Sequence, residues 1–180
     1  LGDASNSRAN PDRRQGRSAH CRMILSNTRI LEALDEKRLI INPEPRPRKP
    51  EEDPENDCPY QTSSVDLRLG NEISWFRETA FNIDLRRGKF KALHAQNSEH
   101  RTIYDDQPYM LEQHKMVLGR TLEWVELPIQ PEGKTSLAAR IEGRSSLARS
   151  GLLVHFTAPT IHANFSGTIT LELVNLGRIP

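Results

Sequence analysis

At 180 residues the chain is long enough for one domain with a sizeable core. A net charge of +1 and an isoelectric point near 8.0 argue against a general electrostatic grip on nucleic acid. No apolar run reaches membrane-spanning length and no apolar stretch follows the N-terminus, so neither a span nor a secretory signal is expected.

Residues 1–22 have no periodicity and few large apolar side chains; they read as a disordered or non-native leader, with Met23 as the expected start. A helix is predicted over Ser26–Leu39, capped by Ser26 or Asn27, with Ile30, Leu31, Leu34 and Leu39 as its apolar stripe. Asn42–Pro59 holds half of the twelve prolines and reads as a surface excursion. Val65–Leu69 and Ile73–Phe76 alternate around Gly70-Asn71, which predicts a tight hairpin. Residues 84–108 are polar and ambiguous. Tyr109–Leu127 predicts two short strands broken at Gly119, and Ala138–Ile141, Leu152–Thr157 and Thr168–Asn175 predict three more. Many short strands and one short helix favour an all-β barrel or two-sheet roll.

The six histidines form no His-x-x-x-His pair, and Cys21 and Cys58 form no Cys-x-x-Cys element. That excludes the zinc-deaminase pattern and argues against a zinc site. Nothing requires the two cysteines to pair, and a reduced cytoplasmic setting is the plainer reading.

The run from Arg140 to Ala158 carries the densest chemistry. A strand leads into Gly143-Arg144-Ser145-Ser146 and one helical turn, so backbone N–H groups, a serine cap and arginines converge as an anion site. Ser145 and Arg149 are four apart and share a helical face. Downstream, Ile169, Leu171 and Leu173 face inward, with Glu172 on the opposite face among threonines. Each has a plainer alternative. Glu172 can be a solvated strand residue, Ser145 only a cap, Arg149 a helix-terminus cation, His155 a hydrogen-bonded structural histidine and Asp66 a turn-holding aspartate.

The run Glu142–Ala158 resembles the signature of dCTP deaminases, members of the trimeric dUTPase-like superfamily. Three further segments agree in order: 23–43, Ser64-Val-Asp-Leu-Arg-Leu-Gly-Asn71 and Phe165–Asn175. The resemblance implies a mainly β, distorted jelly-roll domain over residues 23–180. It also implies a homotrimer with sites at subunit interfaces and hydrolytic deamination of dCTP to dUTP and ammonia without zinc. Magnesium would ride on the substrate triphosphate.

On that resemblance Glu172 shuttles protons, Ser145 and the Ala158 carbonyl position the water, and Arg149 holds the reacting centre. Arg144, Ser145 and Ser146 face phosphate, with Leu147 and Ala148 beside them, and Thr170 and Leu171 meet the base. A carboxyl group in a partly dehydrated pocket suits this work because its pKa rises toward neutrality there.

The pattern departs from the family at Ile161-His162-Ala163-Asn164-Phe165, where Ile-Asp-Pro-Gly and an aromatic are usual. His162 replaces the acid that addresses the deoxyribose; it can hydrogen-bond a hydroxyl but brings no negative charge. Asn164 tolerates a left-handed backbone, so the turn can survive. The family also continues beyond the point matching Pro180, with further strands and an arm over the nucleotide. Three readings follow: a dCTP deaminase, a catalytically weak or inactive nucleotide-binding relative, or a bifunctional deaminase and dUTP diphosphatase.

Overall fold

The computed structural model describes residues 24–55, 57–77 and 90–180. The expected leader, Met23 and part of the ambiguous 84–108 stretch lie outside the described residues. The chain is mainly β, as expected. Among the described residues three α-helices, α1 (Asn27–Asp35), α2 (Phe90–Asn97) and α3 (Ser145–Ser150), accompany eight strands. These are β1 (Ile40–Asn42), β2 (Glu72–Phe76), β3 (Ser98–Thr102), β4 (Met116–Glu126), β5 (Ala139–Arg140), β6 (Leu152–Leu153), β7 (Thr160–Ile161) and β8 (Ser166–Asn175). One sheet runs β3-β2-β4-β8-β6, with β1 also on β4; a second pairs β5 with β7.

Ser26 caps α1, accepting from the Arg29 N–H at 3.5 Å. The helix stops at Asp35, short of Leu39, because Lys37 turns left-handed at φ 55° and the N–H groups of Arg38 and Leu39 both return to the Ala33 carbonyl. Leu39 still packs on the core. The proline-rich excursion contains one 3₁₀ turn (Pro50–Glu52) and is tied down by Arg48. Its guanidinium takes Glu44 bidentately at 2.7 and 3.0 Å and Asp35 at 2.7 Å.

Two expectations about strands fail for physical reasons. Val65–Leu69 does not pair with β2. It leans on β4 through Leu69 opposite Thr121, with Gly70 N–H to Arg120 C=O at 2.8 Å and Leu122 N–H to Arg68 C=O at 2.9 Å. β2 instead pairs with the polar β3. Gly119 does not break β4, which runs on for eleven residues. A Cβ there would sit 2.9 Å from a Leu69 methyl and 3.2 Å from one of Leu173, so the glycine admits two leucines to the core.

The inward phase of β4 is Val117, Gly119, Thr121, Glu123 and Val125, all buried. Its more apolar phase faces out, with Leu122 and Trp124 each 44% exposed. Opposite β8 the register shifts: Thr121–Glu123 oppose the single residue Ile169. This bulge costs ladder bonds, which the Thr121 hydroxyl replaces, accepting from Ile169 N–H at 2.9 Å and donating to Glu123 C=O at 2.7 Å. Glu123 is wholly buried and takes Arg68 twice, from its backbone N–H at 2.9 Å and its Nε at 2.8 Å.

The core lies in two clusters on either side of this polar bulge. Ile30, Leu34, Ile41, Tyr60, Val125, Leu127, Ile161 and Ile169 form one. Ile73, Val117 and Leu173 form the other.

Two predictions follow from these contacts. Glu123→Ala, which strands the Arg68 N–H and empties a buried site, should destabilise the fold by about 3 kcal/mol. Urea unfolding measures this, and a loss under about 0.5 kcal/mol, the size of an ordinary surface substitution, would contradict the role given to Glu123. The hydrogen bonds from Arg48 hold the Glu44 carboxyl below its ordinary value of 4.5. A lowered carboxylate pKa stabilises the fold above the unfolded value and stops doing so as pH falls through the folded one. Melting temperature should therefore fall below about pH 4.5, and Glu44→Gln should flatten that part of the profile.

Candidate functional site

The Arg140–Ala158 run folds much as its residues suggest, with one correction. Arg144, not a serine, caps α3: its backbone is extended at φ −63°, ψ 131°, and Ser145 is the first helical residue. The Arg144 side chain is drawn away from the helix to Asp66, Nη2 to Oδ2 at 2.5 Å, and makes no capping bond. Asp66 thus grips a residue 78 positions away. Ser145, Ser146, Leu147, Ala148 and Arg149 are all exposed. Among the described residues the Ser145 hydroxyl and the Arg149 guanidinium make no hydrogen bond or ion pair, so both are free to take a ligand.

Beyond α3, Gly151 turns left-handed at φ 98° and the chain enters β6, which pairs Leu152 with Asn175 and Leu153 with Val174. The strand was expected to reach Thr157 but ends at Leu153, because the next residues leave the sheet to fold over Glu172. The Glu172 N–H donates to the Val154 carbonyl at 3.1 Å, and Glu172 Oε2 accepts the Phe156 N–H at 2.6 Å. One carboxylate oxygen is anchored and the other is left to the half-buried surroundings of the strand. Ala158 is exposed two residues past this anchor.

His155 lies between the two backbone groups that hold Glu172. It was expected to be hydrogen-bonded, but its Nδ1 is buried without a partner among the described residues.

On β8 the predicted alternation holds through Leu173. Ile169 and Leu173 are buried and Leu171 half-buried, while Thr170 is exposed on the Glu172 face. Thr170 pairs with Arg120 and Glu172 with Leu118 of β4. His162 is exposed at the end of β7. The turn that follows survives as expected: Asn164 sits at φ 71°, its N–H meets the Leu127 carbonyl at 2.7 Å, and Leu127 N–H meets the Phe165 carbonyl at 2.9 Å.

The structure therefore gathers the Val154–Phe156 segment and Glu172 directly. It places α3 next to them through β6 and β8, while His162 lies exposed just past β7, which pairs with β5. Sequence reasoning missed the Phe156 N–H as the partner of Glu172, for a backbone donor has no sequence signature. It also missed Arg68–Glu123, whose signal was a glutamate in the same alternating phase as Val117 and Val125.

With this geometry in hand, the comparisons are specific. The profile of the dCTP deaminase-like family matches residues 24–180, and the chain belongs to that family. A Dictyoglomus turgidum protein named "dCTP deaminase, dUMP-forming" is 40% identical over 159 residues, 88% of this chain and 72% of that protein. A Marinomonas sp. protein named "dCTP deaminase" is 36% identical over 162 residues, 88% of this chain and 75% of the relative. A Methanosphaera stadtmanae protein, again "dCTP deaminase, dUMP-forming", is 34% identical over 164 residues, 87% and 71% of the two chains.

Asp66→Asn should free the start of α3 while barely changing global stability, since the exposed pair contributes about 1 kcal/mol or less. Limited trypsin digestion reads this directly: cleavage after Arg149 should accelerate several-fold in the variant. An unchanged rate would mean that Asp66 does not hold α3.

Proposed function

We propose that the chain catalyses hydrolytic deamination of dCTP, releasing ammonia, with Glu172 moving the protons. The observation that carries this is the Glu172 carboxylate, pinned through Oε2 by the Phe156 N–H and so left with one oriented, free oxygen. Water attacks the ring carbon that bears the cytosine amine, and Glu172 takes its proton. The same carboxyl delivers that proton to the ring nitrogen, then carries the second proton from the new hydroxyl to the amine, which departs as ammonia while the carbonyl forms, so dCTP and water give dUTP and ammonia. Ser145 and the Ala158 carbonyl position that water, and Arg149 steadies the reacting centre.

The triphosphate, carrying magnesium as part of the substrate, falls to Arg144, Ser145 and Ser146, with the exposed Leu147 and Ala148 alongside. Thr170 and the Leu171 backbone meet the base, and His162 replaces an acid at the sugar hydroxyl. Water activation is assigned to Glu172 and needs no zinc. Family membership supports the substrate assignment.

A homotrimer with shared sites is part of the proposal. It is supported by Leu69, Leu122 and Trp124, each 44% exposed, and by Ser145 and Arg149, whose side chains find no partner among the described residues. Sedimentation of the 20.5 kDa chain should give three times that mass.

The names of the Dictyoglomus and Methanosphaera relatives favour a second reading, in which dUTP is cleaved further to dUMP. Product chromatography separates the two.

The decisive assay follows ammonia release from dCTP and magnesium by wild type and by Glu172→Gln. The variant keeps shape and the Phe156 contact but cannot accept the proton; turnover should fall by roughly 10²-fold or more, with nucleotide still bound. Turnover by the wild type should persist after zinc is removed with a zinc-selective chelator, magnesium being retained. Near-normal turnover by Glu172→Gln would remove Glu172 as the proton shuttle.

A further inference from the structure

α3 is six residues long and buries none of them, so neither helix propensity nor core packing fixes where it lies. Its far end is held instead by the segment that follows β8. Gly151, the left-handed cap of α3, lies against Gly177. A Cβ on Gly151 would overlap the Gly177 nitrogen and Cα, and a Cβ on Gly177 would overlap the Ser150 carbonyl oxygen. The Leu176 N–H donates to the Gly151 carbonyl at 2.8 Å.

Asn175 shapes this approach. It is 6% exposed, and each polar atom of its side chain is used. Oδ1 accepts the Gly177 N–H at 2.8 Å, while Nδ2 donates to the Leu111 carbonyl at 2.8 Å and the Ile179 carbonyl at 2.9 Å. Its own carbonyl accepts the His114 N–H at 2.7 Å. A buried amide with both ends satisfied bends the chain so that a glycine, and no side chain, meets the end of α3.

We propose that Asn175 and Gly177 are positioning residues that fix α3, and with it Ser145 and Arg149, relative to Glu172 on the same strand as Asn175. The proposal rests on the reading of α3 as the nucleotide grip. The Phe156 anchor of Glu172 uses none of these contacts, so the clamp governs α3 without setting the carboxylate.

Gly177→Ala tests it in the full chain. Amide hydrogen exchange at Ala148 and Leu176 should accelerate about tenfold while Ile169 in the sheet keeps its protection. For dCTP with magnesium kcat should fall and KM rise, together lowering kcat/KM about tenfold or more, because Ser145 and Arg149 serve the reacting centre as well as the grip and displacements near 1 Å can cost up to about 10²-fold. Faster exchange with kcat and KM both unchanged would overturn the positioning role, and so would unchanged exchange.

Should Gly177→Ala fail to fold, Asn175→Asp makes the same comparison. It keeps the acceptor for Gly177 and deletes the donors to Leu111 and Ile179. A wild type that releases no ammonia from dCTP would sink the functional reading, and this proposal with it, before any variant is compared. A defect confined to the variants concerns the clamp alone.

Discussion

The bulge at Thr121–Glu123 is the constraint on which the site depends. It places two polar side chains in the middle of the main sheet, where each must be fully satisfied to be tolerated. Thr121 closes the gap in the β4–β8 ladder by taking the Ile169 N–H. Glu123 reaches out of the sheet and draws in the Arg68 backbone and side chain. Through that grip the buried carboxylate reinforces a stretch of chain that meets β4 at the isolated Leu69–Thr121 bridge and its flanking bonds. Two residues earlier in that stretch stands Asp66, which holds Arg144 at the start of α3. A burial problem in the core is thereby connected to the orientation of surface arginines.

The same ladder carries Glu172. Its strand is fixed by β4 on one side and by β6 on the other, and the chain leaving β6 returns over it to supply the Phe156 N–H. The carboxylate proposed to move protons sits on the sheet, while the groups proposed to grip the nucleotide sit on α3, a short helix with no buried residue. A carboxylate that must meet a reacting atom tolerates little displacement. The same holds for Ser145 and Arg149 in the roles proposed for them, so the two ends of that short helix would need to be held.

Much of this was legible in the sequence wherever chemistry is local. The Ser26 cap, the Asn164 turn, the exposed α3 and the alternation of β8 all follow from residues close together in the chain. The hairpin at Gly70-Asn71 did not form because the tertiary demand of Glu123 for Arg68 outweighed a local turn signal. Gly119 looks like a break in the sequence because the buried phase of β4 carries Gly, Thr and Glu between its two valines, while Leu122 and Trp124 face outward. Asp66 with Arg144, and Glu172 with the Phe156 N–H, are long-range pairs that no spacing rule reaches. His162 could be placed on a turn, but the sugar contact proposed for it leaves no trace in the chain around it.

The central claim is that one anchored carboxylate and one end-held helix act on the two ends of the same nucleotide. A crystal structure of Glu172→Gln with dCTP and magnesium tests it most directly. The account predicts the amine-bearing ring carbon facing the residue 172 side chain, with Arg144, Ser145 and Ser146 on the triphosphate. A nucleotide bound with its base remote from residue 172, or with its phosphates away from α3, would contradict it.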